Sequence, residues 1–181
     1  WVDVRGAQYP LEIDPTVQQA YLKASNTDAS DAFGDSIAAF EDRILVGAPF
    51  ESSAATGVNG NQNDNSAPAS GAAYIFRRNG ATWVQEAYLK ASNTGANDWF
   101  GFSVALDDEF AVVGAISEDG SSLGVDGPQN DLGLECGAAY VYRRSGTTWT
   151  QVAYLKASNT DTGDHFGERV ALWKNRIAIA A

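Results

Sequence analysis

The chain has 181 residues, 44% hydrophobic, 11% aromatic and 19% charged, which excludes intrinsic disorder and suffices for an ordinary buried core. A formal charge of -11 and a pI near 4.3 argue against nucleic-acid binding, which needs a basic face. The single cysteine, Cys136, excludes an intramolecular disulfide, and no apolar run approaches the roughly 18 residues of a membrane span.

The chain contains no methionine and shows no signal peptide at Trp1, so the expectation is a processed protein or a piece of a longer one. Residues 1–17 read as a lead-in segment. The stretch AYLKASNT then stands at Ala20–Thr27, and it returns at Ala87–Thr94 and Ala153–Thr160. Tyr21 to Tyr88 is 67 residues and Tyr88 to Tyr154 is 66, and such a fixed period means a repeated structural unit. Each copy is followed by Asp-x-Phe-Gly: Asp31–Gly34, Asp98–Gly101 and Asp164–Gly167.

Next come short, apolar, β-rich runs. In the first full unit the expected strands are Phe33–Phe40, Arg43–Ala48, Ala72–Arg78 and Trp83–Ala91, with Asn79-Gly80 as a tight hairpin turn. Ser145-Gly146 is the same turn in the second unit, and no apolar stripe at helical spacing stands out. Four antiparallel strands at a fixed period predict an all-β fold of β-propeller blades. The repeat region spans 18–181, in units of roughly 28–94, 95–160 and a partial 161–181. AYLKAS becomes the outer strand of a blade, and SNT begins the passage to the next.

These residues resemble the FG-GAP repeats of the integrin α-subunit propeller and its bacterial relatives. The likeness rests on Phe33-Gly34, Phe100-Gly101 and Phe166-Gly167, on Gly47-Ala48-Pro49 with Gly114-Ala115 as a near match, and on GAAYIF and GAAYVY. It implies an exported or cell-surface protein. Its departures are two. The turns at Phe40–Arg43, Leu106–Phe110 and Trp173–Arg176 are too short for the calcium loop of integrin-type repeats. The chain also holds about two full blades and parts of others, so a fragment, an open stack or an assembly is expected.

Two long polar loops, Glu51–Gly71 and Ser117–Gly137, share Gly-Val-Asn/Asp-Gly-x-Gln-Asn-Asp. Glu118, Asp119, Asp126 and Asp131 in the second, with Asn59 and Asp64 in the first, are the candidate metal ligands. Hard cations take oxygen donors from such loops, and calcium is the cofactor they would hold. The competing reading is that Asn, Asp and Gly only shape the turns. Asp31, Asp98 and Asp164 read first as acceptors for backbone N–H groups. His165, without a repeated partner, and Cys136, aligned with Ser70, read as ordinary side chains. Arg77-Arg78 and Arg143-Arg144 read as solvated turn charges, and Trp83, Trp149, Tyr88 and Tyr154 as packing between blades.

No hydrolase, metalloprotease or phosphate-loop motif is present, so the expectation is a non-enzymatic binding or adhesion module acting on a protein or glycan. A structural subunit assembling through terminal strands, or a fragment of a propeller enzyme, is the alternative.

Overall fold

A computed structural model describes residues 20–174 and 176–181; the lead-in at 1–17 lies outside them. The first sheet runs β1 (Ile37–Phe40), β2 (Arg43–Ala48), β3 (Ala72–Asn79) and β4 (Thr82–Leu89), and each strand pairs antiparallel with the next. The second repeats the order with β5 (Phe100–Leu106), β6 (Phe110–Ala115), β7 (Ala138–Ser145) and β8 (Thr148–Leu155). A two-stranded sheet of β9 (Arg169–Trp173) and β10 (Arg176–Ala180) begins a third. No helix occurs among the described residues. These are four-stranded propeller blades laid side by side.

The inner strand of the first blade is shorter than expected, because Phe33 and Gly34 belong to the entering connection. The Gly34 N–H bonds the Gly47 carbonyl at 2.9 Å, and its φ of 99° turns the chain into β1. The hairpin loop is Gly80-Ala81, closed by the pair Asn79–Thr82. Positive φ falls on Gly80 alone of the two, as a type II′ turn requires.

In the first two copies the phenylalanine of Asp-x-Phe-Gly plugs the aromatic layer of its own blade. Phe33 meets Tyr74 edge-on at 5.5 Å, and Phe100 meets Tyr140 at 5.3 Å. Burying such a ring contributes about 1.5–3 kcal/mol. One core cluster unites Leu45, Ala73, Ile75 and Leu89 of the first blade with Phe100, Val113, Tyr140 and Tyr142 of the second, so the blades share a core.

The glycines explain how closely the blades approach. A Cβ on Gly47 would stand 2.0 Å from the Gly101 carbonyl oxygen, and one on Gly114 would stand 2.1 Å from that of Gly167. The Phe-Gly of one blade therefore lies against the Gly-Ala of the blade before it. Hydroxyls fasten the same seam: Ser36 donates to the Gly101 carbonyl at 2.7 Å and Ser103 to that of Gly167 at 2.6 Å.

Candidate functional site: the loop face

The β2–β3 loop, the β6–β7 loop and the connections between blades share one end of the sheets. The Phe50 N–H bonds the Asp31 carbonyl there, and the Ser117 N–H bonds that of Asp98. At the root of each loop sits a carboxylate closed to water. Glu51 is 1% exposed and faces the ammonium of Lys90, which is fully buried, at 3.0 Å. Its Oε1 also accepts from Tyr88 at 2.9 Å and from Asn26 at 2.8 Å. Ser70 takes another Lys90 proton at 2.8 Å. Burial pulls the Lys90 ammonium below its ordinary range, with Glu51 opposing.

The second blade rebuilds this node. Glu118 accepts from Lys156 at 2.7 Å, from Tyr154 at 2.8 Å and from Asn93 at 2.8 Å. Tyr140 donates to Asn93 at 2.7 Å, as Tyr74 does to Asn26. The polar letters of AYLKASNT are thereby accounted for. Its Tyr and Lys bind the carboxylate of their own blade, and its Asn binds that of the next. Its Ser reaches the next loop, Ser25 to Gln62 and Ser92 to Gln129. Its Thr closes its own turn, as Thr94 does onto the Ala91 carbonyl at 2.9 Å.

The shared Gly-Val-Asn/Asp stretch covers the edge of the outer strand. The Lys90 N–H bonds the Gly57 carbonyl at 2.8 Å, the Gly57 N–H bonds the Ala91 carbonyl at 3.3 Å, and Val58 bridges Leu89. Asn59 stands at φ 57° and its Oδ1 accepts the Tyr88 N–H at 2.9 Å. Asp126 at φ 53° does the same for Tyr154 at 2.8 Å. Asn and Asp tolerate this left-handed backbone and hydrogen-bond nearby main chain. The motif thus closes an open sheet edge.

The other candidate ligands are similarly engaged. Asp64 accepts from Ala54 N–H at 3.0 Å and Ser66 N–H at 3.1 Å, and Asp119 accepts from Glu135 N–H at 2.8 Å. Asn130 occupies the Asp64 role, binding the N–H groups of Ser121 and Leu132. Asp131, which the sequence aligns with Asp64, is instead exposed one residue further on. Among the described residues no three His, Cys, Asp or Glu side chains come together as a metal would need. Glu118, Asp119, Asp126, Asp131, Asn59 and Asp64 are spread along the loops.

The Asp-x-Phe-Gly aspartates accept the N–H three residues before them: Asp31 from Asp28 at 2.9 Å, Asp98 from Gly95 at 2.7 Å and Asp164 from Asp161 at 2.7 Å. Burial raises the Asp98 carboxyl to about 7, against the Gly95 bond; Glu118, Asp119 and Asp131 push the same way as burial. His165 takes the αL position held by Ala32 and Trp99, its Nδ1 3.1 Å from the Ile116 carbonyl. Cys136 is buried, and among the described residues it belongs to no group of three His, Cys, Asp or Glu side chains.

Sequence reasoning missed a second buried charge. Glu86 on β4 is gripped by Arg43 at 2.9 Å and Arg77 at 3.0 Å, and Trp149 of the second blade donates its indole N–H at 2.9 Å. Burial pushes the Glu86 carboxyl up, but Arg43, Trp149 and Arg77 together hold it below its ordinary value. Arg77 is therefore part of a blade junction. Arg143 and Arg144 answer Glu109 and Asp108 at the exposed turn.

The family model of the FG-GAP repeat matches residues 16–76, 83–142 and 149–181. A search of curated proteins finds no match.

Proposed function

Since the chain belongs to the FG-GAP repeat family, a propeller-blade family, we propose that it is an extracellular or cell-surface binding module without bond chemistry of its own. It engages a protein or glycan through the face built by the 51–71 and 117–137 loops. The observation that carries this reading is how the two loops divide their residues. Glu51 and Glu118, Asn59 and Asp126, and Asp64 and Asn130 repeat their structural roles, whereas the outward positions differ between copies. Architecture must recur in every blade; recognition need not. In this reading the loops are held by their own hydrogen bonds, without calcium.

The test is binding of the chain to arrayed extracellular proteins and glycans, beside a variant with Thr56, Asn63, Leu123, Asp131 and Glu135 replaced by Ala. The expected result is a ligand held by the parent chain and lost by the variant, with circular dichroism and melting temperature unchanged. A ligand bound equally by both, or none at all, overturns the reading.

A further inference from the structure

Most of the outward loop positions are polar, but the second loop carries leucines. Leu123, Leu132 and Leu134 are 57%, 81% and 58% exposed. The first loop provides an internal control for that exposure, because a complete blade stands beside it. Hydrogen bonds fix the correspondence. Gly133 N–H bonds the Asp119 carbonyl as Ala67 bonds Ser52, and Gly163 N–H bonds the Leu134 carbonyl as Asn97 bonds Pro68. Leu123, Leu132 and Leu134 thus stand where the first loop has Thr56, Ser66 and Pro68, all three of which stay exposed. Val125 is different. Its counterpart Val58 is packed against the core shared by the two blades, so the exposure of Val125 is not counted with the leucines.

The three leucines therefore replace residues that the architecture leaves in water, and burial in the chain's own core does not explain them. They stand on the loop's two limbs, which hydrogen bonds hold to each other. Asn130 accepts from both Ser121 and Leu132, and Asp119 accepts from Glu135, which ties 119–123 to 130–135. Three exposed leucines on one polar loop mark a contact surface. The charge around them selects its partner. The loop carries Glu118, Asp119, Asp126, Asp131 and Glu135 and no Lys or Arg, and of the five only Glu118 is both buried and paired with a lysine. Such a field repels anionic lipid headgroups and steers basic polypeptides inward. Leucines also offer a glycan neither a ring to stack on nor a hydrogen bond.

We propose that the 117–137 loop docks a basic, aliphatic-bearing polypeptide segment, with Leu123, Leu132 and Leu134 as its apolar anchors and the surrounding carboxylates as its steering field. The proposal rests on the binding-module reading and names the partner chemistry of one of its loops.

The experiment uses a dye-labelled amphipathic peptide of alternating Lys and Leu blocks as probe, followed by fluorescence anisotropy. The test variant copies the first loop: Leu123→Thr, Leu132→Ser, Leu134→Pro. A converse variant, Thr56→Leu, Ser66→Leu and Pro68→Leu, moves the leucines to loop 51–71. The expected result is saturable one-to-one binding that weakens at least tenfold in the first variant and with rising salt. An all-Lys peptide is expected to bind at least tenfold more weakly than the probe. Equal binding by parent and first variant overturns the proposal, as does the absence of binding. The converse variant is expected to gain a second, weaker site; an unchanged stoichiometry counts against the leucines as anchors. Preferential binding to phosphatidylserine vesicles, or a dimer of the parent chain that the first variant dissolves, would assign the leucines to a membrane or to a second copy and overturn it too. Array binding that depends on both loops yet survives the leucine replacements would sink this inference alone.

Discussion

Lys90 and Glu51 face each other at 3.0 Å in a site that admits no water, and the same pairing recurs between Lys156 and Glu118 at 2.7 Å. Each carboxylate is also the meeting point of two blades, through Asn26 or Asn93. Removing one partner strands a buried charge, which costs about 3–5 kcal/mol. Lys90→Met should therefore lower stability by that order in urea unfolding. Adding Glu51→Gln should recover part of the loss, because the stranded carboxylate becomes an amide that Tyr88 and Asn26 can still address. A double variant no more stable than Lys90→Met would show that the pair is not held by charge.

The repeat, the strands, the propeller blades and the backbone role of the aspartates were legible because each is local. Strand alternation, turn residues and the Asp-to-N–H bonds all lie within a few positions of one another. The carboxylate nodes were not, since Glu51 meets Tyr88 and Lys90 across 37 and 39 residues, and Asn26 across 25. One signal existed. A Glu follows Gly47-Ala48 and Gly114-Ala115 at equal distance, just as a Lys recurs directly after the Ala-Tyr-Leu that ends each outer strand. Opposite charges recurring in buried elements have to meet. Glu86 left no such trace, because Val152 holds its place in the second blade and Phe110 that of Arg43. The leucine surface needed the structure too, because exposure cannot be read from a leucine in a loop.

Asp126 and Asn59 perform one task, accepting the outer-strand N–H from a left-handed residue. Asp126→Asn should then leave the melting temperature almost unchanged, while Asp126→Ala should cost about 0.5–1.5 kcal/mol for the lost hydrogen bond. Neither change should depend on calcium or chelator. A calcium-dependent rise in melting temperature that Asp126→Asn abolishes would favour the metal reading of this loop.

Gly34 and Gly47 separate strain from collision. Gly34 has φ 99° but open space where a Cβ would go, so Gly34→Ala should cost about 1–2 kcal/mol of backbone strain and still fold. Gly47 has backbone oxygen of the next blade 2.0 Å from that Cβ. Gly47→Ala must part the two blades, and should yield insoluble chain or a collapse of cooperative unfolding. Equal, mild losses at both positions in thermal melts would mean that the seam between the blades is loose.

Asp98 sets how stability responds to pH near neutrality. Its carboxyl is raised from its ordinary value of 3.8 to about 7 in the folded chain, chiefly by burial, so the folded state binds the proton more tightly than the unfolded one. The stability it supplies is complete below the unfolded value and is lost as pH rises through about 7, by at most about 1.4 kcal/mol per pH unit for one proton. Glu86 acts with the opposite sign and elsewhere. Held below its ordinary value of 4.5, it supplies stability above that value and loses it as pH falls further into acid. Between pH 4.5 and 7 the slope therefore belongs chiefly to Asp98, with Asp31, whose carboxyl burial also raises, acting in the same direction. Asn in its place keeps an acceptor for the Gly95 N–H without a charge, so Asp98→Asn should flatten that slope and should raise stability most at pH 8. Urea midpoints measured at half-unit steps decide the matter. A parent chain whose stability is level across this window would show that the Gly95 N–H bond outweighs burial and that Asp98 is not raised.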